Sequence, residues 1–234
     1  MKRFTSLILV IVLAVSAFAL TSCEDINAKS EGVMTWEEYF IAPLDSEVVI
    51  EAYVQAHQDW WDNKVTVYLQ DGDGGYFAYE MACSEEDAAK LVPGTKIRVS
   101  GYKGQYQGEI EILDGTFEFC DSKTTYIAEA TDVTSILKDD AALLKHQNMF
   151  VKFDDMTVES IEYKNGERGD DIYVTFSKDG RSYDFCVERY LTGPDSEVYL
   201  AVEALQAGDV VDVEGFLYWY GSNGINPHIT GITK

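Results

Sequence analysis

Most residue patterns that announce an enzyme are missing from this chain of 234 residues. Its three histidines, His57, His146 and His228, stand far apart, so no pair has the spacing of a metal-binding helix. There is no Cys-x-x-Cys, no Gly-x-Ser-x-Gly and no glycine-rich loop opening a helix. Catalysis needs positioned acids, bases or nucleophiles, so the sequence predicts no enzymatic activity, no metal and no cofactor. Basic residues are also scarce: 18 Lys and Arg against 41 Asp and Glu give a formal charge of −23. Residues 33–125 carry −12 and residues 126–234 carry −11, so the acidity is evenly spread. Affinity for phosphate backbones comes from Lys and Arg releasing counterions, and nucleic acid is therefore expected to be an unlikely partner. Beyond residue 20 no apolar run approaches the length of a membrane span.

What the chain does contain, it contains twice. Leu91-Val92-Pro93-Gly94-Thr95-Lys96-Ile97-Arg98-Val99-Ser100-Gly101-Tyr102 returns as Leu205-Gln206-Ala207-Gly208-Asp209-Val210-Val211-Asp212-Val213-Glu214-Gly215-Phe216. Leu, the first Gly, the apolar pair, the second Gly and the aromatic keep their places. A period above a hundred residues is too long for a solenoid, and two similar domains are expected.

Lys2 and Arg3 precede an apolar run from Leu7 to Leu20. A run this short after a basic start reads as an export signal. Its end, Leu20-Thr21-Ser22-Cys23, resembles the lipobox of bacterial lipoproteins. The resemblance implies cleavage before Cys23, acylation of Cys23, and residence in the cell envelope outside the cytoplasm, with the lipid as membrane partner. Residues 1–22 are then a signal peptide, and 23–33, polar with few bulky side chains, a lipidated tether. Of the remaining cysteines, Cys83 and Cys186 end strand-like runs and suit burial. A Cys83–Cys120 disulfide stays open, because spacing alone cannot show it.

Each half shows strand, strand, strand, helix, strand, strand. In the first, Thr35 to Phe40 has the Ser/Thr-x-x-Glu spacing of a capped helix. Val48 to Val54 and Val65 to Leu69 read as strands, and Asp71-Gly72-Asp73-Gly74-Gly75 as a turn before the strand Tyr76 to Met81. An EF-hand calcium loop would need Glu at position 82, where Ala82 stands. Ser84 to Leu91 is a short helix, and Lys96 to Tyr102 and Glu109 to about Phe119 are the last strands. In the second half the strands are Met149 to Tyr163, Ile172 to Phe176, Tyr183 to Val187, Val210 to Phe216 and Ile225 to Ile232. Short helices are expected at Asp139 to Lys145 and Ser196 to Leu205, and a polar linker near 121–134. This order, with the helix after strand three, resembles the OB-fold. The expected class is all-β with short helices, two tandem five-stranded Greek-key barrels over residues 34–122 and 123–234.

OB-folds bind ligands on the face of strands two and three and in the loops joining strands one to two and four to five. The resemblance places Trp60, Trp61, Tyr102 and Tyr106 there in the first repeat, and Tyr163, Tyr218, Trp219 and Tyr220 in the second. Exposed rings offer flat apolar area at low entropic cost. The expected function is a non-enzymatic binding module for a protein or glycan, with single-stranded nucleic acid binding or a structural role in an envelope assembly as alternatives.

Overall fold

The computed structural model describes residues 25–221 and 224–234. The apolar leader and Cys23 lie outside the described residues. The first half runs α1 (Trp36–Ile41), β1 (Glu47–His57), β2 (Lys64–Gln70), β3 (Gly75–Ala82), α2 (Glu85–Ala88), β4 (Lys96–Tyr106) and β5 (Glu109–Phe119). These strands close a barrel in the order β1-β2-β3-β5-β4, with β4 returning to β1. β3 meets β5 in parallel at Ala78 and Ile112, the crossing that makes the path a Greek key. The second half runs β6 (Thr131–Asp132), α3 (Asp140–Leu143), β7 (Phe150–Tyr163), β8 (Ile172–Lys178), β9 (Arg181–Val187), α4 (Arg189–Thr192), α5 (Glu197–Glu203), β10 (Val210–Phe216) and β11 (His228–Thr233). Its strand order is the same, β7-β8-β9-β11-β10, closed by a β10–β7 pairing, with β6 added beside β7. Two OB-like units in tandem are the architecture.

Alternation along the strands builds each core. Val65, Val67 and Leu69 of β2 enter the first core, and Ile172, Val174 and Phe176 of β8 enter the second. The two glycines of the repeated segment have separate tasks. Gly94 and Gly208 sit at φ +88° and +94°, a left-handed conformation that turns the chain into the strand. Gly101 and Gly215 lie at ladder irregularities where a Cβ would stand 2.6 Å and 2.2 Å from a backbone oxygen of the neighbouring strand. Local signals behave as the sequence predicts: Thr35 and Glu38 form a reciprocal capping box. In the turn after β2, Asp71 Oδ1 accepts from the backbone N–H groups of Asp73 and Gly74 at 2.8 and 2.9 Å.

Two segments expected to be loose are held down. Asn27 exchanges side-chain bonds with Asp73 (2.9 Å) and the Gly72 N–H (2.8 Å), and Lys29 Nζ reaches buried Asp71 Oδ2 at 2.5 Å. The expected linker is likewise strapped to the first barrel: Gln55 donates to Tyr126 O (3.1 Å) and accepts from the Ala128 N–H (2.8 Å). Cys83, Cys120 and Cys186 are free thiols, so the Cys83–Cys120 bond is not formed.

The barrels are docked through a buried seam. Tyr68 and Phe77, on the outer face of β2 and β3, pack with Phe216 of β10. Tyr68 stacks on Phe216 at 4.5 Å, and Tyr218 stacks on His228 at 4.2 Å while meeting Phe77 edge-on at 5.4 Å. The backbones come so close that a Cβ on Gly75 would stand 2.3 Å from the carbonyl carbon of Asn148.

Candidate functional site: a groove at the edge of the domain seam

The seam decides which rings are available. Half of the first barrel's β2–β3 outer face, Tyr68 and Phe77, is covered by the second domain. The other half stays open and forms a groove of about 640 Å³. Its floor is Val65, Thr66 and Tyr79, one wall is the β1–β2 loop with Trp60 and Trp61, and the opposite wall is Arg189 and Tyr190 of α4 in the second domain.

The loop geometry explains the wall. Trp61 and Lys64 exchange backbone hydrogen bonds at 3.0 and 2.9 Å. Between them Asp62 and Asn63 take φ of +46° and +60°, as a two-residue hairpin turn requires. That turn holds Trp61 outward, 79% exposed. Trp60 points the other way: its Nε1 donates to Cys83 O at 2.9 Å and its ring packs on the first core. Across the groove, the Arg189 guanidinium lies over the Tyr190 ring at 4.9 Å. Asp59 N–H donates to Tyr190 O at 2.8 Å, tying the two walls together. Lys64 is paired with Glu80 at 2.7 Å, and the Lys64 ammonium holds the Glu80 carboxyl below the usual range. Arg189 forms no ion pair among the described residues, and it is the groove's uncommitted cation. Burial raises the Tyr79 hydroxyl, with Glu80 adding to the effect, so the ring presents a neutral phenol.

The other expected binding residues are dispersed. Tyr102 is exposed and donates to Glu47 at 3.3 Å. Tyr106 and Tyr220, assigned equivalent places in the two repeats, meet across the seam with ring centroids 6.3 Å apart. Tyr220 also borders a polar cleft of about 430 Å³ with Tyr173, Glu162, Asp184 and Asn226, on the second barrel's own β8–β9 face. Tyr163 donates to Glu203, which Arg168 also holds, and its phenol is pushed up to about 12 chiefly by that bond. Two expectations need correction. Tyr218 is sandwiched in the seam between Phe77 and His228, and Trp219 is 8% exposed in the second core; neither ring is presented to a ligand. Docking is the reason for Tyr218, a loop ring turned into a contact between the domains, whereas Trp219 packs into the second barrel's own core.

Sequence reasoning missed Tyr79, Arg189 and Tyr190. Tyr79 was legible, since it alternates with inward-facing Ala78 in β3. Arg189 and Tyr190 reach the groove only because α4 of one domain stands over the sheet of the other.

Behind the groove the seam holds titratable groups in unusual states. Glu109 is fully buried; its Oε2 accepts from the Trp219 N–H at 2.9 Å and Gln147 Nε2 at 3.1 Å, while Oε1 has no partner among the described residues. Burial pushes its carboxyl up to about 8. Burial also pushes His228 down to about 4, so its ring is neutral, and Nδ1 lies 2.6 Å from the Tyr68 hydroxyl. The phenol's ionisation is suppressed by burial, so two neutral groups share this hydrogen bond, and the imidazole tautomer sets its direction.

No family model and no curated protein matches this chain. Among solved structures it is similar to a murine DNA-binding protein bound to double-stranded DNA, at 12% identity and TM-score 0.39, covering 81% of this chain and 99% of that one. It is also similar to the Ifi202 HINa domain in complex with a 20-base-pair duplex, at 9% identity and TM-score 0.36, covering 81% and 96%. A third is a replication protein A heterotrimer bound to single-stranded DNA, at 16% identity and TM-score 0.35, covering 85% and 52%. Identities this low set up no residue-by-residue correspondence. The expectation that nucleic acid is an unlikely partner, which rested on net charge alone, is withdrawn, and the DNA bound by these three similar proteins is a property of those proteins. Net charge averages over the whole surface and does not describe a single groove.

Proposed function

We propose that this chain is an exported, lipid-anchored, non-catalytic binding module that holds a ring-bearing polymer in the groove between its two OB-like units. The observation that carries the reading is the groove's construction from both domains, with Trp61, Tyr79 and Tyr190 exposed around a volume of about 640 Å³. Flat, partly exposed rings on three sides suit ligands with flat faces, such as sugar rings or bases. The ordered walls lower the cost of binding, since little remains to be fixed. The lipobox resemblance at Leu20-Thr21-Ser22-Cys23 supports export and anchoring. A glycan is the first ligand class, because Asp59, Asp62 and Glu80 outnumber Lys64 and Arg189 around the groove. Single-stranded nucleic acid is the second, favoured by the Arg189–Tyr190 pair, which offers a phosphate partner beside a stacking ring.

The test is a tryptophan-fluorescence titration of the chain with neutral oligosaccharides and with mixed-sequence single-stranded DNA, each at low and physiological salt. Saturation by an oligosaccharide, insensitive to salt and lost in Trp61→Ala and Tyr190→Ala, is the expected result. Saturation by DNA that weakens steeply with salt and is lost in Arg189→Ala establishes the second reading. A response to either ligand that survives all three substitutions places binding outside this groove.

A further inference from the structure

The docked N-terminal segment fixes where the chain must leave the protein for a membrane. Asn27 is bonded to Gly72 and Asp73, and Lys29 to Asp71 and to Glu51 O, so the segment is pinned to the β2–β3 turn. From Asn27 back to Cys23 only four residues remain, a reach of about 14 Å when extended. A leash this short cannot let the barrels tumble freely above an anchored lipid.

The surface at this end is apolar. Trp36 packs over the same turn so tightly that a Cβ on Gly74 would stand 2.0 Å from its indole nitrogen. Its ring stacks on Phe40 at 5.0 Å. Phe40, Ile41 and Leu44 are exposed, Ile41 by 73%, and Leu144 of the second domain lines a cleft shared with Trp36 and Phe40. Nothing in the described chain covers these side chains. The end of α1 is nonetheless rigid: Lys103 Nζ donates to the carbonyls of Tyr39, Phe40 and Ala42 at 2.9, 2.8 and 2.9 Å. That arrangement holds Lys103 inside the fold, so the charges beside the patch in the chain are Glu37, Glu38 and Asp45 around α1 and the exposed Lys145 next to Leu144.

We infer that this face, formed by Phe40, Ile41 and Leu44 with Trp36 and Leu144, docks into the interfacial layer of an electrically neutral lipid surface. The inference rests on the anchoring at Cys23 proposed above. Apolar side chains gain by leaving water at the acyl boundary, while three carboxylates against the single Lys145 leave a net negative rim that disfavours anionic headgroups. The consequence is orientation. The β2–β3 turn marks the membrane end of the first barrel, and Trp61, Lys64 and Glu80 lie at the far end of the same two strands, about 20 Å away at strand rise. Docking by the turn end therefore presents the ligand groove to the space beyond the membrane.

The test uses the protein extracted from cell membranes and reconstituted into phosphatidylcholine vesicles, read by amide hydrogen exchange and by the mass of the Cys23 peptide. Slowing of exchange by roughly tenfold over residues 36–46, relative to the same protein in detergent-free soluble form lacking the lipid, supports docking, with Trp61 and its neighbours unchanged. The double variant Phe40→Ser, Ile41→Ser keeps its thermal midpoint and its vesicle attachment but loses that protection. Two results separate the failures. An acylated Cys23 with no slowing overturns docking alone; a Cys23 without acyl chains overturns the anchoring and docking with it. Stronger protection on phosphatidylglycerol vesicles overturns the neutral-surface assignment.

Discussion

Glu109 should make this protein less stable as the solution becomes alkaline. Its carboxyl is buried, with one oxygen unpartnered among the described residues, and burial raises it from about 4.5 to about 8. A carboxyl raised by folding binds a proton more tightly in the native state than in the unfolded one. Native protein then holds more protons between pH 4.5 and 8, so stability is complete below that window and is lost as pH rises through it. At about 1.4 kcal/mol for each tenfold change in proton affinity, the full difference has an upper bound on the order of 5 kcal/mol, with relaxation and water entry bringing it to a few. Glu188, raised by burial to about 7, acts in the same direction. His228, lowered to about 4, acts oppositely: its contribution is present above pH 6.5 and is lost as pH falls towards 4. Between about pH 4.5 and 6.5 His228 offsets one of the two carboxyls, and from 6.5 to 8 the carboxyls act unopposed. The assay is urea unfolding of the wild type and Glu109→Gln at several pH values from 5 to 9. Gln keeps the oxygen that accepts from Trp219 and Gln147 but cannot ionise. The variant should lose less stability than the wild type between pH 6.5 and 8.5, and should be the more stable protein at the alkaline end by roughly 1–3 kcal/mol. Parallel curves across that range would refute the assignment of a protonated Glu109 to the seam.

Four further outcomes follow from other contacts. Lys29→Ala removes the partner of fully buried Asp71 and should cost about 3 kcal/mol while releasing residues 25–30 to rapid proteolysis; unchanged protease resistance counts against the docked segment. Gly75→Ala forces a methyl against the Asn148 backbone, and about 1–3 kcal/mol of lost stability with a larger radius of gyration by small-angle scattering is expected. Tyr68→Phe leaves buried His228 Nδ1 without its hydrogen-bond partner and should cost about 1–2 kcal/mol, measured by the urea midpoint at pH 7, and an unaltered midpoint argues against that bond. Trp61→Ala, by contrast, should change stability by under about 0.5 kcal/mol, because the ring is exposed, so its effect on ligand titrations can be read directly.

The barrels were legible because the signals behind them are local. Period-two alternation in Val65-Thr66-Val67-Tyr68-Leu69, the Asp71-Gly72 turn, the caps at Thr35 and Ser84, and the glycines of the repeated segment each act within a few residues. Repetition of the whole order gave the topology, since a helix after strand three leaves few ways to close five strands. The site was legible by half. Loop rings could be named, but their exposure could not, because burial depends on what another part of the chain brings against them. Trp60 and Trp61 are neighbours of the same type, and one is half-buried while the other is 79% exposed.

The sequence by itself determined two acidic OB-like units in tandem, with their turns, caps and inward faces. Only the tertiary structure decided how the units meet. Docking buried Tyr68 and Phe77, packed Tyr218 against them, carried Arg189 and Tyr190 over the first barrel to finish a groove, and set Glu109 and His228 in a medium that alters their protonation. These are properties of surfaces brought together from residues as far apart as Tyr68 and His228. No local pattern encodes them, because each depends on the shape and charge of a partner that exists only once both barrels have folded.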